Sequence, residues 1–590
     1  MRYIITISTI ILLLSACNGG NKKDVTTKEL YGHISYLASD ELAGRLTGTE
    51  GDSLAAEYIR EQFASAGLIP VSGNGFQQFE ITSDLVASDK NHLEVAGNVL
   101  TPGVDFSPLS ISENGTVSGE VVFAGYGFEI DTDTLKWNDY EGLDVSGKWV
   151  MIFRADPEVD NNASNFATIS TDRYKTMIAR DKGAAGIIFI SGNKYDPKDE
   201  FESLKKGDFP AGIPVIRIKR SAASNFLGTN GSSIEEIEEM INDTWKPAGF
   251  ATGIGVNATA DIERKNNPTR NVVMMLPGKD PELKDEYVII GAHFDHLGMG
   301  GEGSGSRATD TIAAHYGADD NASGVALMIE LAEKFAASSQ TLARSIIFVA
   351  FTGEEMGLLG SKYFVDNCPV DVKSINAMIN LDMVGRLKET PVLQISGVGT
   401  SPGMSELLTS RNDTSLLKLV LSNEGYGPSD HSSFYGKDIP VVSVTTGAHL
   451  DYHTPLDSKD RINYEGIVTI SDYLSLITEA LVNDTEKLTF SEAGPKDGGN
   501  RGMRRKGMSL GIMPDFAGNV TDGLRADFVT PGKPAAIGGM LKGDIIKSIN
   551  GKPVKNIEDY MFRLNQLKPG EVVTVEVLRG EKSELLILQL

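Results

Sequence analysis

The chain reads as an α/β protein: a mostly parallel mixed sheet flanked by helices, interrupted by a β-rich insert and followed by a smaller C-terminal module. Three observations predict this. After Asn271, short apolar runs alternate with helical segments, the pattern of a layered α/β sheet. Between about Thr101 and Arg264 the texture changes to β-branched runs punctuated by glycine. A Gly-rich, charged stretch from Ser491 to Gly507, ending in Arg504-Arg505-Lys506, then sets off the last segment as a separate module.

At roughly 150 residues per domain, 590 residues allow about four units, enough for several buried cores. Hydrophobic residues make up 41% and charged residues 23%, the composition of ordinary folded domains. With 55 Lys plus Arg against 80 Asp plus Glu, the formal net charge is -25. Such a surface repels phosphates and anionic lipid, so nucleic-acid partners are not expected.

At the N-terminus, Arg2 precedes an apolar run from Tyr3 to Leu14 that is too short to span a membrane. It closes on Leu14-Ser15-Ala16-Cys17, followed by the polar Asn18 to Asp24. This resembles the lipobox of bacterial lipoproteins, and implies a signal peptide over 1–16, a lipid on Cys17 and a tether over 17–24. The implied location is an exported lipoprotein, anchored to a membrane and facing the periplasm or cell surface. With Cys17 lipidated, Cys368 has no intramolecular disulfide partner.

Leu54, Ala55, Tyr58, Ile59 and Phe63 recur at helical spacing over 49–66, with Gly67 placed to end that helix in a left-handed cap. The first part of the main domain is expected over 25–100. Strands of the insert are expected at Val117 to Gly127, Lys148 to Arg154, Gly186 to Ile190 and Ile213 to Ile218. The run from Tyr126 through Trp149, with Lys182-Gly183-Ala184-Ala185-Gly186 after a helix, resembles the protease-associated (PA) domain, and the insert is placed at 101–264. Strands of the main domain are expected at Asn271 to Leu276, Tyr287 to Ile290, Ser345 to Phe351, Ala377 to Leu381 and Ile439 to Val444, within a second part spanning 265–488. A linker is placed at 489–506. Beyond it, Ser509-Leu510-Gly511-Ile512, Gly543-Asp544-Ile545-Ile546 and Ile549-Asn550-Gly551 resemble a PDZ domain over 507–590. The loop around Leu510, Gly511 and Ile512 would then receive peptide C-termini.

Acidic residues and histidines follow the last four main-domain strands closely, where α/β sheets build their sites. Gly291-Ala292-His293-Phe294-Asp295-His296 closes one strand. Gly317-Ala318-Asp319-Asp320-Asn321-Ala322-Ser323-Gly324 runs into a helix, and either aspartate there has a plain alternative as a helix cap. Thr352-Gly353-Glu354-Glu355 sets two carboxylates side by side at a strand end, which repel unless a cation neutralises them. Asp382 follows another strand, and His453 lies in Asp451-Tyr452-His453-Thr454-Pro455-Leu456-Asp457.

Jointly these motifs resemble the M28 family of zinc aminopeptidases, whose zinc exopeptidase fold is the expected scaffold. Carried over residue by residue, the resemblance implies His293 and Asp382 on one zinc, Glu355 and His453 on the other, and Asp320 bridging. It implies Glu354 as general base and Asp295 as the carboxylate that orients His293. Tyr426, in Gly425-Tyr426-Gly427-Pro428-Ser429-Asp430-His431, matches a tyrosine that donates to the oxyanion; Ser429 and Asp430 read equally well as caps of a short helix near Ser432. His296, His315, His431 and His449 are expected to be structural or to line the site.

Two Zn²⁺ ions would be balanced by the three ligand carboxylates and one hydroxide, and N/O ligands without thiolate suit an open catalytic centre, with Co²⁺ or Mn²⁺ as substitutes. The expected activity is hydrolysis of peptide bonds, with release of N-terminal residues from peptide substrates. The alternatives are carboxypeptidase or endopeptidase action at the same site, a single-zinc glutaminyl-cyclase-like enzyme, and an inert peptide-binding surface protein.

Overall fold

The computed structural model describes residues 24–590 except 133–134, 162–163, 168, 207–208, 228–232, 302, 339–341, 495–507, 515–519, 521 and 531. The expected export signal, Cys17 and most of the 489–506 linker lie outside the described residues. The chain forms two compact units: residues to Phe79 with Thr269–Gly499, and Glu80–Pro268 with Asn500–Leu590. None of the described helices is long and apolar enough to cross a membrane.

In the first unit, the sheet runs in the order Ile69–Pro70, Ile262–Leu276, Ser345–Phe351, Tyr287–His293, Ile375–Leu381, Val441–Thr445, Val392–Ser396, Lys418–Leu421. The four central strands are parallel, and antiparallel pairings bound them on both sides. All five expected strands are therefore present; the one expected from Asn271 begins nine residues earlier at Ile262, and the other ends move by at most three residues. Ser345–Phe351 and Ile375–Leu381 are buried along their whole length, because both faces of the sheet are covered.

Strand periodicity divides those side chains between two cores. Ile346, Phe348 and Ala350 join the helices Thr27–Leu37, Glu50–Ser65, Gly324–Ala337 and Tyr464–Asn483 on one face. Ile347, Val349 and Phe351 meet Phe364, Phe434 and Tyr435 on the other. The helix expected over 49–66 spans Glu50–Ser65, and Gly67 follows it at φ +90°, a conformation that glycine adopts without strain.

From Tyr287–His293 the chain crosses through the helix Gly324–Ala337 to the neighbouring strand Ser345–Phe351, then returns to the opposite side as Ile375–Leu381. The crossover direction thus reverses around the strand that carries His293, and its carboxyl end is where such sheets open a crevice.

Two boundaries differ from the sequence expectation. The insert begins at Glu80 rather than residue 101, because His92–Val95 and Asn98–Leu100 join an eight-stranded sheet through pairing with Gly249–Ala260. Residues at the start of the expected linker belong to the first unit: Ser491 N–H donates to Thr400 O, and Ala493 is buried with its N–H on the Tyr435 hydroxyl. The eight-stranded sheet also contains Gly115–Ala124, Trp149–Phe153, Gly186–Ile190 and Val215–Ile218, the four strands expected of the insert. A separate sheet, running from Ile512–Pro514 to Lys582–Gln589, forms the C-terminal module around a core of its own.

Phe348 is fully buried where the central sheet meets the helices and lies 5.7 Å from Phe63, ring centre to ring centre. Phe348→Ala is expected to destabilise the first unit by about 3–5 kcal/mol. Loss of hydrogen-exchange protection in the central strands measures it, and Leu476→Ala, at a position 47% exposed, serves as the near-neutral control.

Candidate metal centre

His293 is the last residue of its strand, pairs in register with Phe351, and is fixed there by the Phe294 N–H donating to Phe351 O at 2.8 Å. Thr352-Gly353-Glu354-Glu355 leaves the neighbouring strand end. Asp382 leaves the strand on the other side, its N–H donating to Val444 O at 3.1 Å. Three adjacent parallel strands thus deliver three of the expected side chains to one rim.

Asp320 joins them from the turn before the helix Gly324–Ala337. Gly317 enters that turn at φ +54°, where a Cβ would lie 2.2 Å from Asp320 O, so only glycine fits. Asp320 caps no helix; Asn321 instead accepts the Gly324 and Met383 N–H groups and donates to Leu381 O. Asp320 is thereby released to face the histidines. His293 Nε2 lies 3.2 Å from Asp320 Oδ1 and 3.5 Å from Asp382 Oδ1. On the other side His453 Nε2 lies 3.2 Å from Asp320 Oδ2 and 3.1 Å from Glu355 Oε2. The two oxygens of one buried carboxylate therefore face different histidines. All five residues expected as ligands meet here.

His296 was expected only as a structural or lining residue, yet it stands within the cluster. Its Nδ1 is 2.8 Å from Glu355 Oε1 and 3.7 Å from Asp320 Oδ2. Two groups of side chains offer ligand atoms lying within 4.8 Å of one another: His293 with Asp320 and Asp382, and His296 with Asp320 and Glu355. His453 is nearer than His296 to the Asp320 oxygen that both approach, and it takes the Glu355 oxygen that His296 leaves.

Asp295 is fully buried, and its carboxylate accepts the Glu354 and Glu355 N–H groups at 3.0 and 3.3 Å and the Thr47 hydroxyl at 2.9 Å. His293 Nδ1 is 3.2 Å from the Asp295 carbonyl oxygen and 3.7 Å from its carboxylate. The residue therefore holds the tandem glutamates as firmly as it holds the histidine. Tyr426 is half-buried against the apolar cluster containing Phe434 and Tyr435. The ring of Tyr452, which the sequence reading did not single out, stacks on His453 with centres 3.8 Å apart. Burial and the charges of Asp320, Glu355, Asp382 and Glu354 all push its phenol upward from the usual range.

The electrostatics show how strongly the clustered charges act on one another. Burial would lower His293 and His453, but the surrounding carboxylates override it: Glu354, Asp295, Asp320 and Asp382 hold His293 well above its ordinary value, and Asp320 and Glu355 raise His453 to about 10. Burial raises Glu354 well above the carboxylate range, with Asp430, Asp382 and Glu355 adding to it against His293. Asp430, at the head of the helix His431–Tyr435, makes no side-chain capping bond, and burial pushes it up to about 7. This much buried negative charge calls for cations. His453 at φ +55° and Met383, directly after Asp382, at φ +56° hold left-handed backbones that cost about 1–3 kcal/mol each, strain typical of functional sites.

Behind Asp320 stands a carboxylate that the sequence reading did not weigh. Asp457 Oδ2 accepts the Asp319 and Asp320 N–H groups at 2.9 and 3.0 Å, while its Oδ1 takes the Arg386 guanidinium at 2.9 Å. Asp319 in turn is paired with His449 Nε2 at 3.2 Å and accepts the Gly385 N–H. On the opposite side the buried Arg45 donates to Phe294 O at 2.7 Å, Tyr316 O at 2.8 Å and Gly317 O at 3.0 Å, stitching together the loops that hold His293 and Asp320.

Fold and site together define a class: an α/β protein with paired candidate metal-holding groups at the ends of its parallel strands. Residues 271–478 match the model of Peptidase family M28, residues 117–226 that of the PA domain and residues 511–590 that of the PDZ domain. Aminopeptidase YwaD of Bacillus subtilis (strain 168) is 26% identical over 471 residues, covering 78% of this chain and 85% of that protein. The probable leucine aminopeptidase 1 of Trichophyton verrucosum (strain HKI 0517) is 30% identical over 231 residues, 36% of this chain; the alignment spans 57% of the length of that protein. Among solved structures, an aminopeptidase from Aneurinibacillus sp. strain AM-1 aligns with a TM-score of 0.44 at 22% identity, covering 80% of this chain and 96% of that one.

Asp457→Asn keeps the shape of the side chain and removes its charge from Arg386 and the two amides. It is expected to weaken divalent-metal affinity about 10–100-fold, the usual cost of disturbing the supports of metal ligands. Titration against a competing chelator measures it.

Proposed function

We propose that the chain is a di-zinc aminopeptidase that hydrolyses the first peptide bond of peptide substrates. The observation that carries this reading is the buried Asp320 carboxylate, which turns one oxygen to His293 and Asp382 and the other to His453 and Glu355. Donor separations of 3.1 to 3.5 Å suit ligands placed about 2.0–2.2 Å from a tetrahedral ion. Donor chemistry fits as well: imidazole and carboxylate without thiolate leave positions open for water. His293 and Asp382 would hold one ion, His453 and Glu355 the other, and Asp320 both, with His296 bracing Glu355 from behind. Bound zinc supplies Lewis-acid polarisation of the scissile carbonyl and a water of lowered pKa. The names of the Bacillus and Trichophyton relatives favour the amino end of the substrate.

In this reading Glu354 takes a proton from the attacking water as the C–O bond forms. It returns that proton to the nitrogen as the C–N bond breaks, so the carboxylate ends as it began. Asp295 fixes Glu354 through its backbone N–H. A phenol then donates to the developing oxyanion. Tyr426 is the residue that the resemblance implies, and Tyr452 is the one whose surroundings set it among the ligand carboxylates. The PDZ-like loop at Leu510, Gly511 and Ile512 would take peptide C-termini, supported by Gly511 at φ +81° beside the edge strand Ile512–Pro514. The lipobox-like Leu14-Ser15-Ala16-Cys17 supports a lipid anchor on Cys17 and an exported location.

Metal analysis combined with a substrate panel tests the reading. Wild type and Glu354→Gln should both bind two zinc ions per chain, while the variant loses about 10²–10⁴-fold in kcat, the usual range for a general base. Leucyl substrates should be cleaved and N-blocked ones refused; cleavage of blocked peptides would instead favour carboxypeptidase or endopeptidase action, and one ion per chain a cyclase-like enzyme.

The two tyrosines are separable. Tyr452→Phe is expected to lower kcat about 10²–10³-fold with little change in KM, as loss of an oxyanion donor does. Tyr426→Phe should do so only if that hydroxyl also reaches the substrate; steady-state kinetics of both variants decide between them.

A further inference from the structure

Within the second unit, the PDZ-like module has a helix with two buried faces. On Ile557–Gln566, the residues Ile557, Tyr560 and Leu564 enter the module's own core. Asp559, Phe562 and Arg563, at 0%, 4% and 1% exposure, are buried as well, but against the PA-like domain. Phe562 belongs to that domain's apolar cluster with Met177, Ile178 and Ile213, and meets the Tyr174 ring edge-on with centres 5.1 Å apart.

Ion pairs flank this contact. Arg563 grips Asp181 with two parallel hydrogen bonds of 2.5 and 3.0 Å, and Lys552 Nζ lies 3.3 Å from the same carboxylate. In the reverse sense, Arg180 of the PA-like domain donates to Asp559 at 3.0 Å while also holding Ala211 O at 2.7 Å. Asn556 Nδ2 donates to Pro210 O at 3.2 Å. The charges alternate: the PA-like helix Asp172–Asp181 ends in a cation followed by an anion, and the PDZ-like helix presents an anion and a cation in matching order. Such a fork-shaped arginine–carboxylate pair is geometrically selective, and removing one member strands the other in a dry interface.

We infer that the PDZ-like module is latched to the PA-like domain through Phe562 and the Arg563–Asp181 and Arg180–Asp559 pairs, so that the two form one mechanical body. The sequence reading treats the module as a bead beyond a linker. Without the neighbour, Phe562 would lose its apolar partners, and Asp559 and Arg563 would keep only the Lys555 N–H and the Pro553 carbonyl of their own module. Among the described residues Ile512–Pro514 is the outermost strand of its sheet, the position at which an added extended strand would pair. A peptide paired there would be held on a fixed mount.

The test cuts the chain without removing anything. A site for a sequence-specific protease is placed between Pro495 and Gly507 of the full-length protein, the chain is cleaved, and the products are run by gel filtration at low micromolar concentration. The C-terminal fragment is expected to co-elute with the remainder in the wild type, and to separate when the cleaved chain carries Arg563→Glu or Phe562→Ala. Separation from the cleaved wild type overturns the latch. Co-elution in both variants overturns it equally, since other contacts would then hold the module. Hydrogen exchange in Asp172–Asp181 of the cleaved chain reads the same interface: protection that persists in the wild type and falls in Arg563→Glu supports the latch, and equal protection in the two contradicts it.

Discussion

The structure turns on a single carboxylate shared between two histidine-bearing groups. Asp320 serves both sides only because its backbone is fixed, and that fixing is itself acidic: Asp457 accepts the amides of Asp319 and Asp320. The site therefore gathers Asp295, Asp319, Asp320, Glu354, Glu355, Asp382, Asp430 and Asp457 into one small region. Burying so much like charge costs several kcal/mol per ion unless each is answered. Three kinds of answer are visible. Arg386 and the buried Arg45 supply permanent cations, Asp295 and Asp457 are met by backbone N–H donors, and the carboxylates of the cluster face histidines.

The sheet explains why the answers can be so exact in position. Three ligand-bearing segments leave adjacent parallel strands that are buried along their length apart from the partly buried Tyr287, so their ends cannot shift without disturbing two cores. The fourth and fifth come from turns, and these carry the unusual backbone: His453 in the left-handed region, and Gly317 where no side chain fits. Rigid strands set the rim and strained turns close it, a division of labour that spares the long elements any distortion.

Much of this was legible in the sequence, for a physical reason. Buried parallel strands are runs of Ile, Val, Phe and Ala that cannot be mistaken for loops, and an acid or histidine just beyond such a run has few structural excuses. That is why His293, Glu355 and Asp382 stood out, and why Asp320 and His453 gained weight beside them. His296, Tyr452 and Asp457 did not stand out, because their importance rests on partners far along the chain. Nothing local shows that Asp457 will accept the amide of residue 320, or that His296 will meet Glu355. The edge of the insert was misplaced for the same reason: the pairing of Leu93 with Ala258 leaves no mark on either segment alone. The phenylalanine on the last module's helix, too, looks like ordinary core until its partner is known.

The position of the insert also says what the site can do without. The chain leaves the first unit at Phe79 and re-enters at Thr269, and the Asn271 side chain donates to Gln77 at 3.0 Å, so exit and entry lie side by side. A domain inserted between neighbouring points costs its host little beyond one loop closure, whatever its size. Every residue assigned to the metal centre lies between His293 and His453, and the carboxylates and cations that support it lie in the same unit. The metal centre is thus complete within the host. In the proposed reading the second unit would bear on how substrates are held, and a PDZ-like module latched to its neighbour as inferred suits holding better than searching.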